Sequence, residues 1–177
     1  MSILNVRTVF QGRILTVNVE TVRLPNGHVC DMEIIHHPGG AAVVAVDAQR
    51  RVCLLRQYRH AIADWIWELP AGKLEPPEQP LQSARRELIE EAGISARSWQ
   101  PLGNYVSSPG VFTEIVRLYM AQELDSVNMA HEPGELIEVH WLELEEACAR
   151  AEDGQISDGK TAMGLLRARR ALLRPRG

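Results

Sequence analysis

Three glutamates at helical spacing are the residues of this sequence best suited to chemistry. Glu87, Glu90 and Glu91 stand at positions i, i+3 and i+4, so a helix through them brings their carboxylates to one side. Like charges at that spacing repel, which costs stability on an ordinary surface. Clustered carboxylate oxygens suit Mg²⁺ or Mn²⁺, hard cations that keep waters for substrate phosphates. The simpler alternative is a solvated helix face on which Arg86 pairs with Glu90.

The helix that would carry these glutamates is the clearest element of the sequence. Apolar residues such as Ala84 and Leu88 recur at helical spacing over residues 81–92. Gly93 ends the helix where left-handed backbone is needed. A loop rich in proline and glutamate, residues 73–80, precedes it. The pattern therefore predicts a loop followed by a helix.

The rest of the chain alternates short apolar runs with turn signals, which indicates a mixed α/β (α+β) protein. Two early strands flank a hairpin turn at residues 25–27, and the run after Gly39 and Gly40 is wholly apolar. Helices are expected at residues 144–151 and 160–173. Strands are expected at residues 13–19, 29–35, 41–46, 52–56, 65–69, 100–106, 116–121 and 136–141.

Composition narrows the class of protein. A chain of 177 residues, 45% hydrophobic and 24% charged, fits one folded domain of ordinary size. With 23 acidic against 19 basic residues, the net charge of −4 argues against nucleic acid as a general partner. No apolar run reaches membrane-spanning length, and the first ten residues do not resemble a signal peptide. Three scattered cysteines fit a reducing compartment, so we expect a cytoplasmic protein.

The segment from Gly72 to Ile94 resembles the Nudix box, the signature motif of the Nudix hydrolase family. The expected strand, loop, helix and glycine cap also match the context that the motif requires. Every position that the motif specifies is matched: Gly72, Glu78, Arg86, Glu87, Leu88, Glu90, Glu91, Gly93 and Ile94.

The resemblance implies a fold, a reaction and a set of metal ligands. The fold is a mixed β-sheet sandwiched between α-helices, and the reaction is hydrolysis of a nucleoside diphosphate linked to another moiety. Glu87 and Glu91 resemble the principal metal ligands, with Glu90 sharing a further ion and the carbonyl of Ala71 contributing. Arg86 resembles the residue that orients these carboxylates. Mg²⁺ or Mn²⁺, about two or three ions per site, is the implied cofactor.

Features outside the box resemble the ADP-ribose pyrophosphatase subfamily. Pro109, downstream of Gly93, is similar to a proline that marks this subfamily at the same distance from the box. A simple Pro-Gly turn is the alternative, since such turns are common. Residues 67–72 resemble the segment that leads into the box in sugar-nucleotide hydrolases. Residues 1–37 resemble a small antiparallel β-sheet extension through which the subfamily forms a swapped homodimer. We therefore expect a dimerisation segment at residues 1–37 and a hydrolase domain at residues 38–177.

The same resemblance assigns substrate contacts. Arg59 is similar to a phosphate-binding side chain, which fits the planar fork that arginine offers to phosphate oxygens. Arg13 and Glu33 resemble contacts to the nucleoside or its phosphates, in one chain or across the dimer. Exposed arginines are usually only solvated, and that alternative stays open.

The general base is expected on a loop well after the box. Glu135, just before the strand at residues 136–141, resembles the subfamily's base, and Glu132 is the alternative. Glu114, after the proline turn, is expected to contact metal or water. A solvated loop glutamate is the simpler interpretation of each.

The leading hypothesis is therefore a metal-dependent enzyme that splits ADP-ribose into AMP and ribose 5-phosphate. GDP-mannose, NADH or a dinucleoside polyphosphate are alternative substrates, since base selection depends on pocket shape. A non-catalytic, nucleotide-sensing Nudix module is a further alternative. It is disfavoured because the box keeps every carboxylate.

Overall fold

The computed structural model of the protein describes residues 2–129 and 136–173. The chain divides into two compact units. The first contains residues 1–39 and 106–115, and the second contains residues 40–105 and 116–177.

The first unit is built on a three-stranded antiparallel sheet. Its strands are β1 (Ser2–Gln11), β2 (Thr16–Arg23) and β3 (Val29–His36), and they lie side by side in chain order. The predicted hairpin turn lies between β2 and β3, where Gly27 adopts a φ of 84° that favours glycine. The strand expected from residue 13 begins only at Thr16, because the Gly12 amide donates to the Leu15 carbonyl and closes a turn after β1.

The second unit contains two sheets and three helices. The elements of this unit in chain order are β4 (Gly40–Ala45), β5 (Arg51–Arg59), β6 (Asp64–Glu68), β7 (Ala71–Lys73), α1 (Pro80–Ala92), β8 (Ile94–Val106), β9 (Ile115–Ser126), β10 (Ile137–Glu143), α2 (Leu144–Glu152) and α3 (Gly159–Leu173). The last residue of β8 and the first of β9 are assigned to the first unit. The four-stranded sheet has the order β7-β4-β9-β8, with β4 parallel to β9 and antiparallel to β7. The three-stranded sheet is antiparallel in the order β10-β5-β6.

The wholly apolar strand β4 lies between two hydrophobic clusters. Ala42 and Val44 pack with buried residues of α2 and α3, while Ala41 and Val43 pack with buried residues of α1. Successive side chains of a strand point to opposite faces, so a strand buried on both faces is apolar throughout. The second unit is therefore a sheet sandwiched between helices, as predicted.

Most expected elements lie where the pattern placed them, with shifts at their ends. Strand β8 begins at Ile94, directly after the cap of α1, and not at residue 100. Strand β7, whose last residue falls in the predicted loop, was not expected, because three residues are too few to give a detectable pattern. In the described ranges of the chain, no helix is long and apolar enough to cross a bilayer.

Candidate active site

Helix α1 carries the three glutamates Glu87, Glu90 and Glu91, as the helical pattern predicted. Gln79 precedes the helix. Its backbone N–H donates to Gln82 Oε1 at 2.8 Å, which satisfies one of the N–H groups that the start of a helix leaves without a partner. Gly93 ends the helix with a φ of 64°, and its amide donates to the Ile89 carbonyl. The side of α1 that faces the core includes two of the three glutamates of this helix, and the helix buries Ser83, Ala84, Glu87, Leu88, Glu91 and Ala92.

Arg86 joins three glutamates of the box. Its Nη1 donates to Glu87 Oε1 at 2.8 Å and to Glu90 Oε2 at 2.9 Å. Its Nη2 donates to Glu78 Oε1 at 2.9 Å. The hydrogen bond to Glu78, with the charge of Glu87 and the hydrogen bond to Glu90, raises the pKa of Arg86. The expected Arg86–Glu90 pair is therefore present within a larger cluster in which one cation offsets repulsion among carboxylates.

Strand β7 approaches the buried glutamates of α1 at close range. The Ala71 amide donates to Glu91 Oε2 at 2.8 Å. A Cβ added at Gly72 would overlap the Glu87 carboxylate, well inside the 3.0 Å that real Cβ atoms keep. Gly72 thus forms a cradle, which is the space that the Glu87 carboxylate occupies. The amide of Ala71, just before it, binds the Glu91 carboxylate.

The donor set fits a hard divalent cation in its chemistry. Glu87 and Glu90 share the Arg86 guanidinium, and the Ala71 amide binds Glu91. Carboxylate and carbonyl oxygens, which these residues offer, are of the kind that suits Mg²⁺. Within residues 2–129 and 136–173, no three side chains of His, Cys, Asp or Glu converge closely enough to hold a metal ion. Arg86 instead lies between Glu87 and Glu90. Metal ligation by these residues stays a prediction.

Arg59, the expected phosphate contact, ends strand β5 and pairs with a buried carboxylate. Its Nε and Nη2 donate to Glu68 Oε1 and Oε2 at 2.8 and 2.6 Å. The hydrogen bonds to Glu68 raise the pKa of Arg59, and the charge of Glu91 acts in the same direction. Arg59 is therefore close enough to Glu91, one of the box carboxylates, for their charges to interact. The pair occupies two of its five N–H groups, so the guanidinium can also donate to phosphate.

Gln57 is a candidate residue that sequence reasoning missed. Cys53 and Leu55 pack on the α1 side of β5, and strand alternation places Gln57 and Arg59 on the same face. Gln57 is buried, and its Oε1 has no hydrogen-bond partner in the described part of the chain. A buried amide oxygen of this kind is a ready acceptor for a ligand or water. Alternation along β5 was the signal that could have found it.

The other expected site residues belong to the first unit or lie outside the described residues. Arg13 lies in the turn before β2, and Glu33 is exposed on β3. Glu114 lies 3.5 Å from His37 Nδ1 within the first unit. Glu132 and Glu135, the alternatives for the general base, fall in residues 130–135, outside the described ranges. The roles of all these residues stay predictions.

Comparison with known proteins identifies the family of this chain and the type of its N-terminal segment. The NUDIX domain model matches residues 36–162, which is more than half of the chain. The chain therefore belongs to the Nudix family. The model of the nucleoside diphosphate sugar hydrolase N-terminal domain matches residues 3–34.

The relatives agree with that assignment. An ADP-ribose pyrophosphatase of Bacillus subtilis (strain 168) is 37% identical over 89% of this chain and 86% of its own length. An ADP-ribose pyrophosphatase of Mycobacterium tuberculosis is 35% identical over 90% of this chain and 78% of its own. The crystal structure of an ADP compounds hydrolase superposes with a TM-score of 0.82, at 24% identity, covering 97% and 93% of the two chains. That structure confirms the predicted fold class.

Proposed function

We propose that this protein hydrolyses the pyrophosphate bond of ADP-ribose, giving AMP and ribose 5-phosphate, with a divalent metal ion as cofactor. The observation that carries the proposal is the Arg86 cluster, in which Glu78, Glu87 and Glu90 of a complete Nudix box surround one guanidinium. Relatives named ADP-ribose pyrophosphatase, similar over most of this chain, support the substrate.

We infer that Mg²⁺ or Mn²⁺, about two or three ions, would be held by the side chains of Glu87, Glu90 and Glu91 and the Ala71 carbonyl. Glu114 is proposed as an auxiliary contact. A bound divalent ion supplies charge neutralisation for the pyrophosphate and a more acidic water. The Gly72 cradle supports this assignment because it leaves room for the Glu87 carboxylate beside β7.

The side chains of this protein would then bind the substrate and move the proton. Arg86 orients Glu87 and Glu90, and Arg59 donates to phosphate oxygens from its fixed position on Glu68. Arg13 and Glu33 are proposed to contact the nucleoside end. Glu135, or Glu132 in its place, is proposed to accept a proton from the attacking water.

We also propose a homodimer formed through residues 1–37, with the hydrolase domain at residues 38–177. The exposed surface of β1 supports the dimer, because all ten residues of this strand are exposed, including Ile3, Leu4, Val6 and Phe10. Large apolar side chains exposed together along one strand are typical of a surface that another chain covers. The three cysteines are free, which fits the proposed cytoplasmic location.

A substrate panel tests the function. Purified protein is incubated with ADP-ribose, GDP-mannose, NADH and a dinucleoside polyphosphate, each with Mg²⁺, with Mn²⁺ and with a chelator. We expect AMP and ribose 5-phosphate from ADP-ribose with metal and none with chelator. A clear preference for GDP-mannose would contradict the substrate assignment, and a relative of this chain is named GDP-mannose pyrophosphatase. Binding without turnover of any compound would favour the sensor alternative.

A further inference from the structure

A chain of buried charges connects the start of helix α3 to the end of strand β6. Lys160 Nζ donates to Glu68 Oε2 at 3.1 Å and to Asp158 Oδ2 at 3.0 Å. Glu68 is only 3% exposed, and most of the Lys160 side chain is also buried. These residues lie 92 positions apart in sequence, and the Nudix box includes none of them.

The Glu68 carboxylate also holds the Arg59 guanidinium. Both oxygens of Glu68 accept from the Arg59 fork, so one buried carboxylate fixes an arginine and a lysine together. The Arg59 side chain is 41% exposed. Its guanidinium is therefore fixed on the Glu68 side and open on the other, within electrostatic reach of Glu91.

A second contact connects α3 to the backbone before the box. The Leu69 amide donates to Thr161 Oγ1 at 2.9 Å, and that hydroxyl donates to Asp158 Oδ2 at 2.6 Å. Leu69 lies just before Pro70 and Ala71, and the Ala71 amide binds Glu91. The start of α3 therefore supports the Arg59 side chain, through Glu68, and the backbone that leads into β7.

Burying several charges together is a poor way to gain stability. Removing charges from water costs free energy that their attraction often fails to repay, and apolar residues of similar size are frequently as stable. Such a network has a clearer use where it holds a functional side chain in one orientation. A fixed guanidinium loses less conformational freedom when it binds phosphate.

We propose that Lys160 is a positioning residue for the hydrolytic reaction: with Asp158 it fixes Glu68, and Glu68 fixes the Arg59 guanidinium for the pyrophosphate. This proposal rests on the proposed function and on the phosphate contact of Arg59. Helix α3 thereby contributes to catalysis without touching the substrate.

Kinetics of Lys160→Met provide the first test, because Met keeps the length of the side chain and removes its charge. We expect kcat/KM for ADP-ribose to fall about ten- to hundredfold, since small displacements of a substrate-binding group have effects of that size. Arg169→Met is the matched control: Arg169 lies on the same helix and pairs with Glu152 of α2. We expect its kinetics to change by less than about twofold.

A double-mutant cycle separates positioning from a merely structural role. If Lys160 acts through Arg59, adding Lys160→Met to Arg59→Ala causes no further loss of kcat/KM. A further loss equal to that of Lys160→Met alone would overturn the proposal. Circular dichroism and melting temperature establish that each variant is folded. If Lys160→Met does not fold, the near-isosteric Asp158→Asn takes its place in the cycle.

Binding of inorganic pyrophosphate keeps this proposal distinct from the proposed function. Calorimetry with Mg²⁺ measures its Kd for the wild type, the single variants and the double variant. If the wild type binds pyrophosphate but does not split ADP-ribose, the proposed function is refuted. The double-mutant cycle would then be calculated from the Kd values for pyrophosphate instead of from kcat/KM. Wild type that binds no pyrophosphate, or Lys160→Met that binds it as tightly as wild type, would overturn the positioning role.

Discussion

Gly72 and Glu87 occupy positions that exclude any side chain at residue 72. The Glu87 carboxylate lies where the Cβ of a larger residue would stand, so the backbone of β7 and the carboxylate of α1 are in direct contact. This contact explains in physical terms why a glycine is needed here, since Gly72 has no positive φ to account for it. It also makes the strand and the helix depend on each other.

Gly72→Ala tests that contact. The added methyl would displace the Glu87 carboxylate or the β7 backbone, and overpacking of this kind costs about 1–3 kcal/mol of unfolding free energy. We expect a lower melting temperature together with a loss of ADP-ribose turnover. Gly110→Ala is the control, because nothing lies within 4 Å of a Cβ added there. Full activity of Gly72→Ala would mean that the Glu87 carboxylate need not stay where it lies.

Glu91→Gln tests the proposed metal site while retaining the local fold. The amide oxygen of Gln can still accept from the Ala71 amide, but the negative charge is lost. We expect weaker Mn²⁺ binding by calorimetry and a loss of turnover of about hundredfold or more, since metal charge stabilisation supplies several kcal/mol. Glu145→Gln, an exposed glutamate of α2, serves as the control. Unchanged Mn²⁺ affinity in Glu91→Gln would remove this residue from the ligand set.

Glu135→Gln and Glu132→Gln, compared at saturating Mg²⁺, identify the general base. A positioned base contributes about 10²–10⁴-fold, so we expect kcat of Glu135→Gln to fall by that factor with little change in KM. Glu132→Gln should stay near wild type. The reverse pattern would assign the base to Glu132. If kcat falls in neither variant, the base lies elsewhere.

The proposed homodimer predicts that charge on β1 causes dissociation. In Val6→Asp, a carboxylate replaces an exposed apolar side chain, and burying it in an interface would be unfavourable. We expect sedimentation velocity to show a dimer for wild type and a smaller species for this variant. Leu173→Asp changes an apolar residue of α3 that is even more exposed than Val6, and the sedimenting species should keep the mass of the dimer. A dimer that persists after deletion of residues 1–37 would contradict the proposed interface.

Local rules were sufficient to predict helix α1 and its glutamates. Helical periodicity and the capping glycine Gly93 depend only on neighbours within a turn or two, so the sequence defines them directly. The Arg86–Glu90 pair was predictable for the same reason. The turn at Gly12 and strand β7 were missed, because a short element is decided by its hydrogen-bond partners and not by its own pattern.

The family, the box and the type of chemistry can be read from the sequence alone, because they reside in residue types at fixed, short spacing. The contact of Gly72 with Glu87 and the link from Lys160 through Glu68 to Arg59 appear only in the folded chain. Those contacts join residues that are far apart along the chain. They depend on strand order, on register and on how α1 and α3 pack, and no local pattern encodes these directly.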